Sequence, residues 1–195
     1  MKQTPQPHPK PKTLDELIAN AEHYANYCMG NSGCVTPALF FIGADGQGMF
    51  CPKSLADGRD KDDFADTSRF VCIAHAVSIA VMVLESWAKF AVPGETFDEK
   101  EAPSEAIDRK EFVVLTGESR DGNRQKFLPI IRSGNGRFFG FGEPYEPGAE
   151  MKGRFSGLIP SHTPDAQMRE LAHAVLQVKG GCVQAGGTSR LPRRR

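Results

Sequence analysis

The sequence predicts a single α+β domain built on a mainly antiparallel sheet of five to six strands. Three observations support this fold class. The stretch from Phe70 to Leu84 contains one histidine, one serine and no charged residue, so we expect it to be buried on all sides. Short apolar runs between glycine-containing turns indicate β-hairpins. Helical spacing of apolar residues recurs near both ends of the chain. About three helices are therefore expected, packed with the sheet around a central apolar helix.

The length of 195 residues fits one domain with tails. Residues 1–12 contain four prolines and no core-forming side chain, which predicts a disordered Pro/Lys-rich lead. Residues 13–179 are predicted to form the domain. Residues 180–195 are rich in glycine and then in arginine, which predicts a disordered, basic tail.

The first helix has a capping box, since Thr13 is followed three residues later by Glu16. Apolar residues then repeat at helical spacing, and Gly30 is expected to end the helix. A strand from Val35 to Ile42 follows. The glycine-rich segment 43–48 is expected to turn it into a second strand at Met49 to Cys51, and a polar loop should cover residues 52–63.

The central apolar stretch divides into two predicted elements. Asp66 or Thr67 is expected to cap a helix that runs to about Ala80. From Val81 the residues become β-branched and then alternate, which predicts a strand ending near Phe90. The alternative is a single long helix to Phe90, because no glycine or proline marks the break.

Three further strands are predicted at residues 111–116, 125–132 and 137–141, joined by turns and followed by a last helix that begins after Thr163. In the third of these strands, alternation assigns Phe139 and Phe141 to the core face and Phe138 to the other face. The predicted order is α-β-β-α-β-β-β-β-α. Its opening part is similar in element order to roadblock and profilin-like domains, a resemblance that implies a fold rather than a function.

The formal net charge of zero conceals an uneven distribution of charge. Seven basic residues lie within 1–12 and 189–195, which leaves 17 basic against 24 acidic residues, about −7, for the remainder. A body of this sign is not expected to bind nucleic acid, except through the basic tail Arg190 to Arg195. A narrower hypothesis is that the acidic surface mimics phosphates and blocks a nucleic-acid-binding partner.

Five cysteines without a tight spacing pattern indicate free thiols in a reducing compartment. The lead has no apolar segment of a signal peptide, and the central stretch is too short to span a bilayer. The expected location is therefore the cytoplasm, with no contact with a membrane.

Cys72 and His75 are three residues apart on one face of the predicted central helix. They are weak candidates for a metal site, or for a Cys/His nucleophile pair. The hypothesis favoured by their apolar surroundings is a buried structural cysteine beside a core histidine, with no metal or cofactor.

Acidic and basic side chains cluster just before the fourth strand. Converging carboxylates can bind Mg²⁺ or act as acid and base, although a solvated loop with local ion pairs is the favoured interpretation. We expect any buried pair here to join Arg109 to Glu85. If the protein is an enzyme, the candidate catalytic residues are Glu85, Glu105, Asp108, Arg109 and Glu111.

No complete catalytic arrangement is present in the sequence. The prediction is therefore a non-enzymatic, accessory or regulatory protein that binds a protein partner or forms a homodimer. The alternative is a metal-dependent or acid–base hydrolase that uses the carboxylate cluster around residues 105–111.

Overall fold

The computed structural model describes residues 11–88, 109–147 and 153–180, together with the backbone of residues 183–185. It confirms an α+β fold with an antiparallel sheet and three helices. The elements in chain order are α1 (Leu14–Ser32), β1 (Ala38–Gly43), β2 (Gly46–Phe50), α2 (Gly58–Ala74), β3 (Ile79–Ala88), β4 (Lys110–Ser119), β5 (Gly122–Arg132), β6 (Phe138–Phe141), α3 (Ala166–Lys179) and β7 (Val183–Ala185).

The seven strands form one sheet in the order β6-β5-β4-β3-β1-β2-β7, and every pair is antiparallel. Its longest pairing joins β3 to β4 from Ile79 opposite Ser119 to Ala88 opposite Lys110. The short strand β7 pairs with β2, within the segment predicted as a tail. Residues 1–10 of the predicted lead and residues 186–195 of the predicted tail lie outside the described residues.

Two hydrophobic clusters lie on opposite faces of the sheet. On one face, α1 covers Val81, Val83, Val113, Leu115 and Leu128. On the other, α2 and α3 cover alternate residues of β1 to β3, such as Leu39 and Met82. The sheet therefore forms the middle layer, and α2 packs on one of its faces rather than standing at the centre.

The first helix begins as predicted. The Thr13 side chain accepts a hydrogen bond from the Glu16 backbone N–H at 3.2 Å, and the Glu16 carboxylate accepts from the Thr13 N–H at 3.2 Å. The helix ends at Ser32 rather than at Gly30, because Gly33 supplies the left-handed residue that closes it, at φ +74°.

The second helix begins earlier and ends earlier than predicted. Its N-cap is Asp57, whose side chain accepts from the Asp60 N–H, so Asp66 lies within the helix instead of capping it. The helix ends at Ala74, and β3 begins at Ile79. The prediction of a helix followed by a strand is thus confirmed, and the alternative of one long helix is wrong.

The phenylalanines of β6 do not alternate as predicted. A bulge between Ile131 and Arg132 shifts the pairing, so that Phe138 and Phe141 both join the cluster under α1, with ring centroids 5.0 Å apart. Phe139 is instead 81% exposed.

Within the described part of the chain, the three helices do not include one of sufficient length and apolarity to cross a membrane.

Candidate functional site

Cys72 is a core residue. Its exposure is 0%, and it packs among the α2 and α3 side chains. Burial, and to a smaller extent the nearby Glu118 charge, raises the pKa of the thiol. These surroundings disfavour the thiolate, which is the form of cysteine that acts as a nucleophile or metal ligand.

His75 lies at the border of that core, at the end of α2, with its ring centroid 5.3 Å from that of Phe41. Its Nδ1 is 3.5 Å from an Asp45 carboxylate oxygen in the β1–β2 turn. The same oxygen of Asp45 is 3.2 Å from Nη2 of Arg169, on α3. The ring of His173, also on α3, meets the His75 ring edge-on at 5.2 Å between centroids. The β1–β2 turn and α3 therefore both approach the imidazole at the end of α2.

Burial, together with His173, lowers the pKa of His75, although Asp45 acts in the opposite direction. A neutral imidazole held by a carboxylate can accept a proton, which is the elementary requirement of a general base.

The backbone around His75 is tightly constrained. Ala76 has φ +45°, in the left-handed region that side chains other than glycine rarely adopt. The His75 carbonyl accepts from the Ala44 N–H at 2.9 Å, and a Cβ at Gly43 would lie 2.3 Å from that carbonyl oxygen. Gly43 is therefore needed for the close approach of the two chain segments.

The described part of the predicted carboxylate cluster centres on Arg132. The Arg132 Nε donates to Glu111 at 2.6 Å, and its positive charge also acts on Glu85. Burial raises the pKa of Glu85, and the Glu111 charge adds to this, whereas a hydrogen bond from the Val35 backbone and Arg132 lower it. Glu85 and Glu111 are thus brought together, with one arginine serving both.

The expected pairing of Arg109 with Glu85 is not the arrangement found. The cation beside Glu85 is Arg132, and the Arg109 guanidinium lies over the Trp87 ring, 4.6 Å from its centroid. The pairing of β3 with β4 explains this. Trp87 lies opposite Glu111, close to Arg109 at the start of β4, whereas Glu85 lies opposite Val113, farther along the strand. Glu105 and Asp108 lie outside the described residues, so their proposed role stays a prediction.

Glu118 is 4% exposed, which is unusual for a carboxylate. It accepts hydrogen bonds from three consecutive backbone N–H groups, at 2.6 Å from Gly157, 2.8 Å from Leu158 and 3.3 Å from Ile159. The carboxylate is fully engaged by the chain, so its role is to attach the segment before α3 to β4.

A cleft of about 310 Å³ lies between α1 and β5. Its charged side chains are paired across it: Arg124 with Asp15 and with Glu146, and Lys126 with Glu22 at 2.7 Å. A ligand would have to displace these pairs, so the cleft is a weak candidate for binding charged molecules.

The end of the sheet at β6 carries apolar side chains in contact with solvent. Besides Phe139, Ile131 is 43% exposed on the neighbouring strand, and Tyr145, whose ring packs on Phe127, is 50% exposed. Strand β6 itself contains no charged residue and no proline. We call Phe139, Ile131 and the outer edge of β6 the β6 surface.

Of these sites, the sequence pointed to Cys72, to His75 and to the carboxylate cluster. It did not reveal the contacts of His75 with Asp45 and His173, or the pairing of Asp45 with Arg169, because these residues lie far apart in the chain. The glycine-rich segment 43–48 was the one local signal in the sequence that two chain segments approach each other closely at this turn. Across the described ranges, no three His, Cys, Asp or Glu side chains come together to bind a metal ion. Comparison with protein-family models, curated proteins and solved structures found no match to this chain.

Proposed function

We propose that this is a non-enzymatic protein-interaction protein that binds a protein partner through the β6 surface. The observation that carries the proposal is the 81% exposure of Phe139 on an uncharged strand at the end of the sheet. A large aromatic side chain in water has a free-energy cost that burial in an interface removes.

The strand itself supports this proposal. Among the described residues, β6 pairs on one side only, with β5. Edge strands commonly carry lysine, proline or inward-pointing charge, which prevent unwanted pairing. Strand β6 has none of these, and Phe139 is flanked by Phe138 and Gly140. An extended segment of a partner can therefore add to the edge, with main-chain hydrogen bonds and an apolar contact at Phe139.

The proposed partner is a protein that presents an extended, apolar segment, and a second copy of this chain is the alternative occupant. The remaining charge of about −7 in the body favours a partner with basic residues around that segment. We place the protein in the cytoplasm, because the cysteines within the described ranges are free thiols. The predicted contact of Arg190 to Arg195 with nucleic acid remains separate from this proposal.

The test compares Phe139→Glu with Val178→Glu. Val178 is 89% exposed on α3, and it is the matched apolar control because α3 packs over β1 to β3, which lie toward the other end of the sheet from β6. Immobilised wild-type protein and both variants are incubated with an extract of the source cells, and bound proteins are identified and then purified for binding measurements. Sedimentation of each purified protein over a range of concentrations measures self-association.

Specific binding of a purified partner that Phe139→Glu weakens at least about tenfold, and Val178→Glu leaves unchanged, supports the proposal. Self-association with the same dependence on Phe139 identifies a second copy as the occupant. If Phe139→Glu changes neither measurement while remaining folded, the β6 surface is not the interaction site.

One observation favours the acid–base hydrolase as a second candidate: the raised pKa of Glu85 beside Glu111. Hydrolysis of chromogenic esters and phosphoesters tests it, with Glu85→Gln as the variant. Activity that disappears in Glu85→Gln supports this second function, and equal rates in wild type and variant oppose it.

A further inference from the structure

Asn135 lies in the turn between β5 and β6, and it is the one asparagine of this chain that is followed by glycine. Ser133 and Arg137 face each other across the turn, where the Ser133 N–H donates to the Arg137 carbonyl at 2.8 Å. Gly136 adopts φ +77°, the left-handed conformation that closes a hairpin turn of this kind. Asn135 and Gly136 are both exposed to water.

The side-chain amide of Asn135 is turned toward the peptide bond that follows it. Its Oδ1 accepts a hydrogen bond of 3.2 Å from the Arg137 backbone N–H, two residues ahead. Ser133 Oγ lies 2.6 Å from the same Oδ1 and 3.0 Å from the Arg137 carbonyl oxygen, so its shorter contact is with Asn135. Two donors on one carbonyl oxygen make Cγ more electrophilic and stabilise negative charge that develops on Oδ1.

The backbone nitrogen of Gly136 is the nearest nucleophile to that carbon. It is joined to Asn135 Cγ through Cβ, Cα and the carbonyl carbon of Asn135, so covalent connectivity keeps the two atoms within reach. The Gly136 N–H donates to the Ser133 carbonyl at 2.8 Å, which directs its hydrogen atom within the peptide plane. The open face of the nitrogen, above that plane, is the one that meets Cγ, and glycine has no Cβ to obstruct it.

We propose that Asn135 is a site of spontaneous deamidation in the folded protein. The Gly136 nitrogen is the nucleophile, the Ser133 hydroxyl promotes the attack through Oδ1, and water is the second reactant.

The reaction balances with water alone. The Gly136 nitrogen bonds to Asn135 Cγ, and the side-chain nitrogen leaves as ammonia together with the proton that Gly136 gives up. Water then opens the cyclic succinimide at either of its carbonyls, which yields aspartate or isoaspartate, and nothing is oxidised or reduced. The product carries an added negative charge, and isoaspartate also adds a backbone carbon to the connection before β6.

The other asparagines lack this combination of features. A residue with a side chain follows each of them, which hinders approach to the next nitrogen. Three of them lie within α1, where the backbone conformation is fixed by the helix: Asn20, Asn26 and Asn31. Asn123 lies at a hairpin turn, between β4 and β5, but Arg124 follows it. It is therefore the internal comparison for Asn135.

The test incubates the folded, full-length protein at mildly alkaline pH and follows each asparagine by peptide mapping in acid, which halts the reaction. Enzymatic methylation distinguishes isoaspartate from aspartate. The variant is Ser133→Ala, and Ser119→Ala is the matched control, because Ser119 Oγ donates to the Gly122 carbonyl at 3.0 Å in the other hairpin turn.

We expect Asn135 to be converted before any other asparagine, to a mixture of aspartate and isoaspartate. Conversion should be about two- to tenfold slower in Ser133→Ala, the effect of losing one neutral hydrogen bond. The rate at Asn135 should be unchanged in Ser119→Ala.

The wild-type peptide map alone can overturn the proposal, so it does not depend on the folding of a variant. The proposal is wrong if Asn135 keeps its amide after prolonged incubation, or if Asn123 is converted first. It is also wrong if aspartate forms without isoaspartate, because direct hydrolysis of the amide gives aspartate only. Equal rates in the wild type and a folded Ser133→Ala would contradict the role of the Ser133 hydroxyl.

Discussion

The Leu158 backbone N–H donates a hydrogen bond of 2.8 Å to the carboxylate of Glu118, a buried charge on β4. Gly157 and Ile159 donate to the same carboxylate. Three donors from one short segment compensate for the removal of this charge from water. The pairing of one side chain with three consecutive N–H groups fixes the position of the chain just before α3.

Replacing Glu118 should therefore destabilise the protein. We expect Glu118→Ala to lower the free energy of unfolding by about 2–4 kcal/mol, since three buried N–H groups lose their acceptor. Glu143→Ala, at an exposed carboxylate, should change it by less than about 0.5 kcal/mol. Urea denaturation measures both. A value for Glu118→Ala as small as that of the control would show that the three N–H groups do not depend on this side chain.

The start of α2 can be tested by comparing two aspartates. Asp57→Ala should lower the free energy of unfolding by about 1 kcal/mol. It removes the carboxylate oxygen that accepts a hydrogen bond of 2.8 Å from the Asp60 N–H. Asp66→Ala removes only an exposed pair with Arg69 and should cost less than about 0.5 kcal/mol. Thermal and urea unfolding give the two values. A larger loss of stability for Asp66→Ala than for Asp57→Ala would place the helix cap at Asp66, as the sequence suggested.

Two glycines should respond to alanine with opposite signs. Gly43→Ala places a Cβ 2.3 Å from the His75 carbonyl oxygen, a backbone atom that cannot move aside, so we expect a loss of about 1–3 kcal/mol. Gly30→Ala, in α1 with open space around it, should stabilise the protein by about 0.5–1 kcal/mol. Thermal unfolding curves of the two variants measure both changes in stability. If Gly43→Ala is as stable as the wild type, the close approach of the β1–β2 turn to His75 is contradicted.

Stability should depend on pH through His75. Asp45, Arg169 and His173 face its ring, and its pKa in the folded state is lowered, mainly by burial. The folded state therefore prefers the neutral imidazole. This preference adds to the free energy of unfolding. The added stability is fully present above a pH of about 6.5, the pKa of histidine in the unfolded chain, and it is lost as the pH falls through the lower pKa of the folded state.

The measurement is the free energy of unfolding between pH 5 and pH 8 for the wild type and for His75→Gln. The wild type should lose stability relative to the variant as the pH falls, with a slope of no more than about 1.4 kcal/mol per pH unit. His162→Gln, at an exposed histidine, serves as the control and should follow the wild type. A constant difference between wild type and His75→Gln would exclude this linkage.

Local signals in the sequence were sufficient for the order of the elements. The capping box at Thr13, the change to β-branched residues after Ala80 and the turn glycines all act over a few residues. The start of α2 was missed because residues 58–63 are almost all polar, and the apolar face of the helix begins only at Phe64. The faces of Phe138 and Phe139 were assigned wrongly, because a bulge interrupts the alternation and leaves no mark in the sequence.

The candidate sites depend on contacts between distant parts of the chain, which periodicity does not encode. The carboxylate cluster was partly foreseen, but its central cation is Arg132 rather than Arg109, since the β4–β5 pairing determines which arginine reaches Glu111. The engagement of Glu118 by residues 157–159 does not follow from sequence spacing either.

The pairing of Ala88 with Lys110 has a practical consequence for protein engineering. The last described residue of β3 and the first residue of β4 are directly opposed, so a two-residue Asn-Gly turn is geometrically sufficient to join the two strands. A shortened protein with that graft in place of residues 89–109 would keep the strand register. It would lack Glu105 and Asp108 together, and would thus separate any chemistry of these two carboxylates from the integrity of the fold.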